Sequence, residues 1–198
     1  MAIDTVAKIG LAPLLLAQAL WVRRRALVLP EPDGPRRGRV GAGPSLRLLI
    51  LGDSAAAGVG AQTQNDALSG QLVARLAKDF TVDWQLEAKT GATTQTTYER
   101  VKALDAVPFD MVVTSLGVND ITHGVFLRRW LATQRVLLDA IHKKFAPRQI
   151  LISGVPPMQY FPLLPQPLRW VLGHQAQRFD AALSAQVSEM PQTTHIAF

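Results

Sequence analysis

Residues 46–60 read Leu-Arg-Leu-Leu-Ile-Leu-Gly-Asp-Ser-Ala-Ala-Ala-Gly-Val-Gly, an apolar run that gives way abruptly to small side chains. The run at 48–51 predicts a strand buried on both faces, as in a parallel sheet. Gly52 and Gly58 bracket a turn that holds Ser54. A buried strand that ends in such a turn presents polar groups at the carboxyl edge of the sheet, where ligands bind in open α/β folds. We therefore predict that Ser54 is a nucleophile.

The composition limits the class of protein. The chain has 198 residues, enough for one domain with a substantial core, and is 48% hydrophobic and 18% charged, as in globular proteins. It contains no cysteine, which excludes disulfides, thiolate metal sites and a cysteine nucleophile. Its four histidines have no metal-ligand spacing, so we expect neither a metal nor another cofactor.

The positive charge is concentrated near the N-terminus. Residues 1–39 hold seven basic and three acidic residues, which is two thirds of the net charge of +6. The remainder of the chain is nearly balanced and has no basic stretch typical of nucleic-acid binding. We therefore expect no nucleic-acid partner.

An apolar stretch at 9–22 is followed at once by Arg23–Arg25. It is shorter than the roughly 20 residues of a transmembrane helix, and its charge follows the apolar core, unlike that of a secretory signal. Three interpretations stay open: a helix at residues 9–25 that contacts or anchors to a membrane, a helix packed on the domain, and a signal peptide. Arginines on this side would keep the domain in the cytoplasm, which is our predicted localisation.

Residues 30–44 are rich in Pro, Gly and Arg, which predicts an extended, poorly ordered linker. We therefore divide the chain into an N-terminal arm and linker at 1–44 and a domain at 45–198. Within the domain, strands and helices alternate, which predicts an α/β fold with a parallel sheet wrapped by helices. The predicted strands are 46–51, 82–88, 110–115, 149–153 and 193–198, and the predicted helices are 66–79, 95–104, 122–145 and 168–189. Alternating polar and apolar residues at 82–88 favour a half-exposed edge strand.

Three loops after predicted strands carry unusual residues. The first contains Ser54, the second contains Gly91, and the third contains Asn119. In a parallel sheet these loops share one edge. An acyl-transfer site needs a nucleophilic hydroxyl and several donors directed at the developing oxyanion. The backbone N–H groups of Ser54 and Gly91 and the side-chain amide of Asn119 would supply three.

Gly-Asp-Ser at residues 52–54, the glycine of the second loop and Gly-Val-Asn-Asp at 117–120 together resemble the SGNH/GDSL hydrolases. The resemblance covers about residues 46–198. It implies a flavodoxin-like three-layer α/β/α fold and an esterase or lipase that acts on a small ester, lipid or thioester without a cofactor. It also implies that Ser54 is the nucleophile, that Ser54, Gly91 and Asn119 form the oxyanion hole, and that Asp53 and Asp120 hold loop backbone.

The sequence departs from that family at the general base. The family has an Asp-x-x-His motif near its C-terminus, and none follows residue 123 here. We expect either a fragment that lacks this motif or an inactive relative, and favour the fragment. Asp-Ile-Thr-His at 120–123 has the residues of this motif at the same spacing. However, a base at His123 would share one short turn with the oxyanion donor Asn119, which makes the required geometry difficult. We expect His142 and His174 to face solvent and His195 to be structural.

Two further alternatives stay open. The proline-rich segment Val155–Trp170 is either a packed surface loop or an apolar wall for an acyl chain. The rival function is a non-catalytic flavodoxin-like binding module that holds a phosphate-bearing ligand in the turn at 58–60. Against it, the sequence has no complete Gly-x-Gly-x-x-Gly and no Gly-Lys-Ser/Thr motif.

Overall fold

A computed structural model describes residues 10–27 and 29–198, and within them one mixed sheet has the strand order β1-β3-β2-β4-β5-β6. The strands are β1 (Arg37–Val40), β2 (Ser45–Gly52), β3 (Thr81–Ala88), β4 (Met111–Ser115), β5 (Gln149–Ser153) and β6 (Thr193–Ile196). The helices are α1 (Ala12–Arg25), α2 (Ser54–Ala57), α3 (Leu68–Leu76), α4 (Thr94–Ala103), α5 (Val118–Thr122), α6 (Leu127–Phe145) and α7 (Leu168–Ser188), with a 3₁₀ turn at Met158–Tyr160. The α/β alternation predicted from the sequence is confirmed.

The strand β2 is at the centre of the core. Its neighbours β3 and β4 are both parallel to it, and every residue from Leu48 to Leu51 is fully buried. Leu49 and Leu51 join the apolar cluster beneath α6 and α7, whereas Leu48 and Ile50 join the cluster beneath α2 and α3. Burial of each such side chain contributes about 1.5–3 kcal/mol, so this strand fixes the three-layer arrangement.

The register of the sheet aligns the carboxyl ends of the parallel strands. Gly52 of β2 pairs with Ala88 of β3 and with Ser115 of β4. The same row continues from Ser115 to Ser153 of β5 and on to Ile196 of β6. The loops that follow these strands therefore leave the sheet at one edge.

The prediction that residues 82–88 form an edge strand is wrong. The strand β1 pairs antiparallel with β3 and takes the edge position, so part of the segment 30–44 is an ordered strand and not a poorly ordered linker. The pairing satisfies backbone groups of β3 that an edge strand would leave open. Gly38 permits the close approach, because a Cβ there would lie 3.2 Å from Nε1 of Trp84.

The predicted long helix at 122–145 is confirmed from Leu127 onward, whereas its first residue, Thr122, ends a separate short helix. The helix α5 begins earlier, at Val118, and ends at Thr122, and α6 starts at Leu127. Between them Gly124 has φ +72°, a left-handed conformation that ends a helix and that glycine adopts without strain.

The helix α1 packs on the domain. Leu15 and Val22 contact the larger apolar cluster, and the Gln18 side chain donates to the Gln166 carbonyl at 2.6 Å and accepts from the Leu168 N–H at 3.1 Å. The described part of the N-terminal stretch thus has the contacts of a packed helix, and Ile9 lies outside the described residues. In the part of the chain that the structure describes, no helix has the length and apolar character needed to cross a membrane.

Candidate active site

Ser54 is the first residue of α2, directly beyond the end of β2. Asp53 caps this short helix, since its Oδ1 accepts a hydrogen bond from the Ala55 N–H at 3.0 Å. The turn is tight because Gly52 has no side chain: a Cβ there would lie 2.6 Å from the Ser115 carbonyl oxygen. The sequence pattern of a buried strand followed by small residues therefore places a half-buried serine at the edge of the sheet.

The second loop is a four-residue turn between β3 and α4. The Ala92 N–H donates to the Lys89 carbonyl at 3.0 Å, and Gly91, the third residue of the turn, has φ +80°. That φ is the one a type II turn requires at this position. A Cβ on Gly91 would meet no atom of residues 10–27 and 29–198 within 4 Å, so the backbone conformation favours glycine here.

Asn119 ties the three loops together. Its Nδ2 donates to the Ala92 carbonyl in the second loop at 2.9 Å and lies 3.4 Å from Oδ2 of Asp53 in the first. Gly117 begins this third loop with φ +127°, and a Cβ there would lie 2.9 Å from Cγ2 of Val155. The structure thus brings the loops of Ser54, Gly91 and Asn119 to one place at the carboxyl edge.

Asp120 anchors a buried hydrogen-bond network behind Asn119. Its Oδ2 accepts from the Thr94 N–H at 3.1 Å and from the Thr94 hydroxyl at 3.0 Å. The same hydroxyl accepts from Trp130 Nε1 at 3.0 Å and from Gln134 Nε2 at 3.2 Å. The network joins α4, α5 and α6 directly beneath the site.

Burial changes the acidity of both aspartates. Loss of solvation raises the pKa of Asp53 from 3.8 to about 6, and the nearby Asp120 carboxylate adds to the rise, while the Ala55 N–H opposes it. Loss of solvation also raises the pKa of Asp120, and the hydrogen bonds from Thr94 oppose that rise. Two carboxyl groups that each resist ionisation therefore flank Asn119.

The four histidines lie in different parts of the fold. Nδ1 of His123 is 2.5 Å from the Asn119 carbonyl oxygen, on the exposed end of α5. His174 is exposed on α7, whereas His142 is half-buried beside the Thr193 hydroxyl at 3.4 Å, so the prediction that it faces solvent is only partly met. Because Thr193 begins β6, His142 lies at the opposite edge of the sheet from Ser54.

His195 has a partner that the sequence does not indicate. Its Nε2 is 2.8 Å from Oδ1 of Asp180, and the same oxygen accepts from the Val155 N–H at 2.9 Å. The pair joins β6, α7 and the loop after β5. β6 lies three strand positions from β2, roughly 14 Å, so His195 is remote from Ser54.

The contact between Glu31 and Thr90 is a second feature that the sequence does not indicate. Glu31 Oε1 accepts from the Thr90 N–H at 2.7 Å and from the Thr90 hydroxyl at 2.8 Å, and Glu31 Oε2 pairs with Arg36 Nη1 at 2.8 Å. Burial opposes ionisation of Glu31, but these bonds and the Arg36 charge hold its pKa below the usual value. Because 59 residues separate Glu31 from Thr90, no local spacing could have revealed the pair.

In the turn at 58–60, backbone N–H groups donate hydrogen bonds to nearby carbonyls of the same segment. The Gly58 N–H donates to the carbonyls of Ser54 and Ala55, and the Val59 N–H donates to the Ser54 carbonyl at 3.0 Å. These donors are therefore not directed at a bound phosphate, in contrast to the amides of a phosphate-binding loop.

The proline-rich segment after β5 is packed against the domain. Met158, Leu164 and Leu168 are buried in the larger apolar cluster, while Tyr160 is 77% exposed. These contacts fit a packed loop that leaves some apolar side chains at the surface.

The sequence matches the model of the GDSL-like lipase/acylhydrolase family over residues 50–198, and no curated protein gives a significant match. Among solved structures, a member of the lipolytic protein G-D-S-L family from Veillonella parvula is 15% identical, with a TM-score of 0.61 over 79% of this chain and 78% of that chain. The extracellular lipase from Streptomyces rimosus is 16% identical, with a TM-score of 0.60 over 77% and 80%. The esterase EstA from a Pseudoalteromonas species is 19% identical, with a TM-score of 0.57 over 77% and 76%.

These structural likenesses establish the fold, a largely parallel sheet between layers of helices as in the SGNH hydrolases. The family model adds the sequence evidence, because it covers most of the chain, including all three loops of the site. This chain belongs to the GDSL-like lipase/acylhydrolase family.

Proposed function

We propose that this protein is a serine ester hydrolase that forms an acyl-enzyme on Ser54. The observation that carries the proposal is the contact network of Asn119, which joins the loop of Ser54 to the loop of Gly91. A substrate carbonyl placed beside Ser54 would meet the N–H groups of Ser54 and Gly91, and Asn119 Nδ2 would join them by giving up its long 3.4 Å contact with Asp53 Oδ2. Such preorganised donors are usually the largest single contribution to catalysis of acyl transfer.

The reaction has two halves. In the first, Ser54 Oγ forms a bond to the carbonyl carbon, its proton passes to a base, and the carbonyl oxygen becomes an oxyanion facing the N–H groups of Ser54 and Gly91 and the Asn119 amide. Collapse of this intermediate expels the alcohol or thiol, which takes the proton from the base. In the second half, water repeats the attack on the acyl-enzyme and releases the acid.

The base is the part of the mechanism that the resemblance assigns to an Asp-x-x-His motif. Of the histidines in this sequence, His123 is the one that directly follows the short helix of Asn119, with its Nδ1 turned to the Asn119 carbonyl. A base that relieves the serine of its proton contributes typically 100- to 10,000-fold. If His123 serves, His123→Ala lowers kcat by that factor; full activity assigns the base to another group.

The decisive experiment is covalent labelling of the full chain with a serine-directed phosphonate. We expect one modified peptide, the one that contains Ser54, and parallel hydrolysis of p-nitrophenyl esters. Ser54→Ala removes both signals. Ser115→Ala is the matched control, because Ser115 ends the neighbouring strand and is likewise half-buried. Absence of labelling and hydrolysis in the wild type would instead favour the binding module.

Asn119 gives a second test of the same proposal. We expect Asn119→Ala to lower kcat by roughly 100- to 1,000-fold, the usual cost of one oxyanion donor. Thr122→Ala is the matched control, since Thr122 lies on the same helix and its hydroxyl donates to the Asn119 carbonyl from an exposed position. A loss as small as that of the control would remove Asn119 from the oxyanion hole.

We further propose carboxylic esters with apolar acyl groups, lipids among them, as substrates. Support comes from the loop after β5, which begins at the carboxyl edge of the sheet and leaves Leu163 41% exposed and Tyr160 largely exposed. If this loop forms a wall for the acyl chain, kcat/KM rises with acyl length, and Leu163→Asp reduces the rise. Equal kcat/KM for short and long esters would contradict the wall.

A further inference from the structure

The helix α1 has a face that the domain does not cover. Its contacts with the domain come from Leu15, Gln18 and Val22, which recur at three- and four-residue spacing and so lie on one side. No residue of α1 is fully buried. The opposite side of the helix therefore faces away from the described part of the protein.

That outward face is apolar. Leu16 is 63% exposed and Leu20 is 49% exposed on this face, and Trp21, 47% exposed, lies on the flank between this face and the packed side. Leu16 and Leu20 lie four residues apart, on neighbouring turns of the same face. A surface helix normally turns polar side chains outward, so this arrangement is the reverse of that expected in water.

The same helix ends in positive charge. Arg23, Arg24 and Arg25 form its last residues, all three are exposed, and within residues 10–27 and 29–198 no ion pair involves them. The sequence has no acidic residue between Asp4 and Glu31. The Arg25 guanidinium lies over the Trp21 ring at 5.6 Å, so the charge adjoins the apolar face.

We propose that α1 docks the protein on the surface of an anionic lipid bilayer. The helix lies in the plane of the membrane, with Leu16, Leu20 and Trp21 at the boundary of the acyl chains and the arginines at the headgroups. Interfacial helices bind through this combination of buried apolar area and attraction to anionic lipid. With 14 residues, about 21 Å long, α1 suits such a position.

The charge distribution favours a membrane over a second copy of this chain. A second copy docked on this face would offer the arginines no carboxylate, because α1 contains no acidic residue, and with the helices parallel the two sets of three arginines would meet. Like charges facing each other across an interface oppose association. An anionic bilayer satisfies the apolar face and the arginines at once.

The first experiment is vesicle co-sedimentation of the full chain. We expect binding to vesicles of phosphatidylcholine mixed with phosphatidylglycerol, and much weaker binding to phosphatidylcholine alone. Leu16→Glu with Leu20→Glu abolishes binding, while Val136→Glu, at an exposed apolar position of α6, leaves it unchanged. Because these positions face solvent, the variants keep the circular dichroism spectrum of the wild type.

The second experiment tests the arginines. Each basic residue near an anionic surface contributes about fivefold, so the triple variant Arg23→Gln, Arg24→Gln, Arg25→Gln binds on the order of a hundredfold more weakly. The matched control replaces Arg128, Arg129 and Arg135 with Gln, which removes the same charge from exposed positions of α6. Equal loss in both triple variants would overturn the proposal, since it would indicate a general effect of net charge.

The two proposals fail separately. Ser54→Ala binds vesicles as the wild type does, whatever its esterase activity. Wild-type protein that hydrolyses esters but ignores anionic vesicles overturns the docking proposal alone. Concentration-dependent dimerisation that Leu16→Glu with Leu20→Glu abolishes, without vesicle binding, overturns it in favour of a second copy.

Discussion

Asp53 caps α2 with a carboxyl group that is almost fully buried. Because of this burial, the free energy of unfolding depends on whether the carboxyl group is protonated. Its pKa is 3.8 in the absence of such surroundings and about 6 in the folded protein. The folded state therefore holds the proton more tightly, and this contribution to stability is fully present below pH 3.8 and is lost as the pH rises through about 6.

We expect the free energy of unfolding of the wild type, relative to Asp53→Asn, to fall by about 3 kcal/mol across that window. Asparagine can still cap the helix but cannot titrate. Chemical denaturation at a series of pH values measures both proteins. Asp79→Asn, which removes an exposed carboxyl group, is the matched control. Parallel curves for the wild type and Asp53→Asn would contradict the prediction.

Single residues also mark where sequence reasoning succeeds. The turn of Ser54 and the position of Asn119 follow from local patterns, because strand ends and small-residue turns are encoded by neighbours in the chain. The contact between Asn119 and the Ala92 carbonyl is different, since 27 residues separate them. Asp180 and His195 belong to the same category: only the packing of α7 on β6 brings them together.

Among the elements, β1 is the one whose absence from the sequence prediction changed the fold most, because it replaces β3 at the edge of the sheet. Its Arg-Gly-Arg-Val sequence is too short and polar for a clear strand pattern, and the surrounding prolines and glycines favour a loop. It forms because β3 offers an open edge. The helix break at Gly124 was hidden for the opposite reason, since apolar spacing continues through it while the backbone does not.

The segment that leads into β1 holds the second loop of the site. Glu31 accepts hydrogen bonds from Thr90. Arg36 forms an ion pair with Glu31 and donates to the Ala88 carbonyl. We expect Glu31→Ala to lower the free energy of unfolding by about 1–2 kcal/mol, because the Thr90 N–H loses a charged acceptor. Hydrogen exchange of the Thr90 amide accelerates at the same time.

Two variants separate this effect from a general one. Glu31→Gln keeps an acceptor for Thr90 and is expected to restore much of the exchange protection. Asp139→Ala removes one partner of the exposed pair with Arg135 and leaves the Thr90 amide unchanged. If the protection of Thr90 survives Glu31→Ala, the segment before β1 does not hold the loop.

On the scale of the whole molecule, the residues that precede the family domain pack against it. The family model begins at residue 50, yet β1 completes the sheet, Glu31 holds the second loop and α1 packs on α7 and the loop before it. The division at residue 44 stays a prediction from composition, and among the described residues several contacts cross it. The N-terminal segment therefore holds the second loop through direct contacts.

The three helices beneath the site depend on one hydroxyl group. Thr94 Oγ1 donates to Asp120 and accepts from Trp130 and Gln134, and all four residues are buried. Valine has nearly the same shape but leaves these partners without a counterpart. Since each unsatisfied buried group costs about 1–3 kcal/mol, we expect Thr94→Val to lower the free energy of unfolding by about 3 kcal/mol.

Urea denaturation measures this loss. If the slope of the free energy of unfolding against urea concentration is unchanged, unfolding still exposes the same surface area. Thr133→Val is the matched control, because its hydroxyl bonds to the Arg129 carbonyl of its own helix near the surface and to no other group of the described residues. We expect that variant to lose less than about 1 kcal/mol. Since Asp120 adjoins Asn119, Thr94→Val also lowers kcat if the network positions the Asn119 amide. Equal stability losses in the two variants would show that α4, α5 and α6 hold their places without the Thr94 hydroxyl.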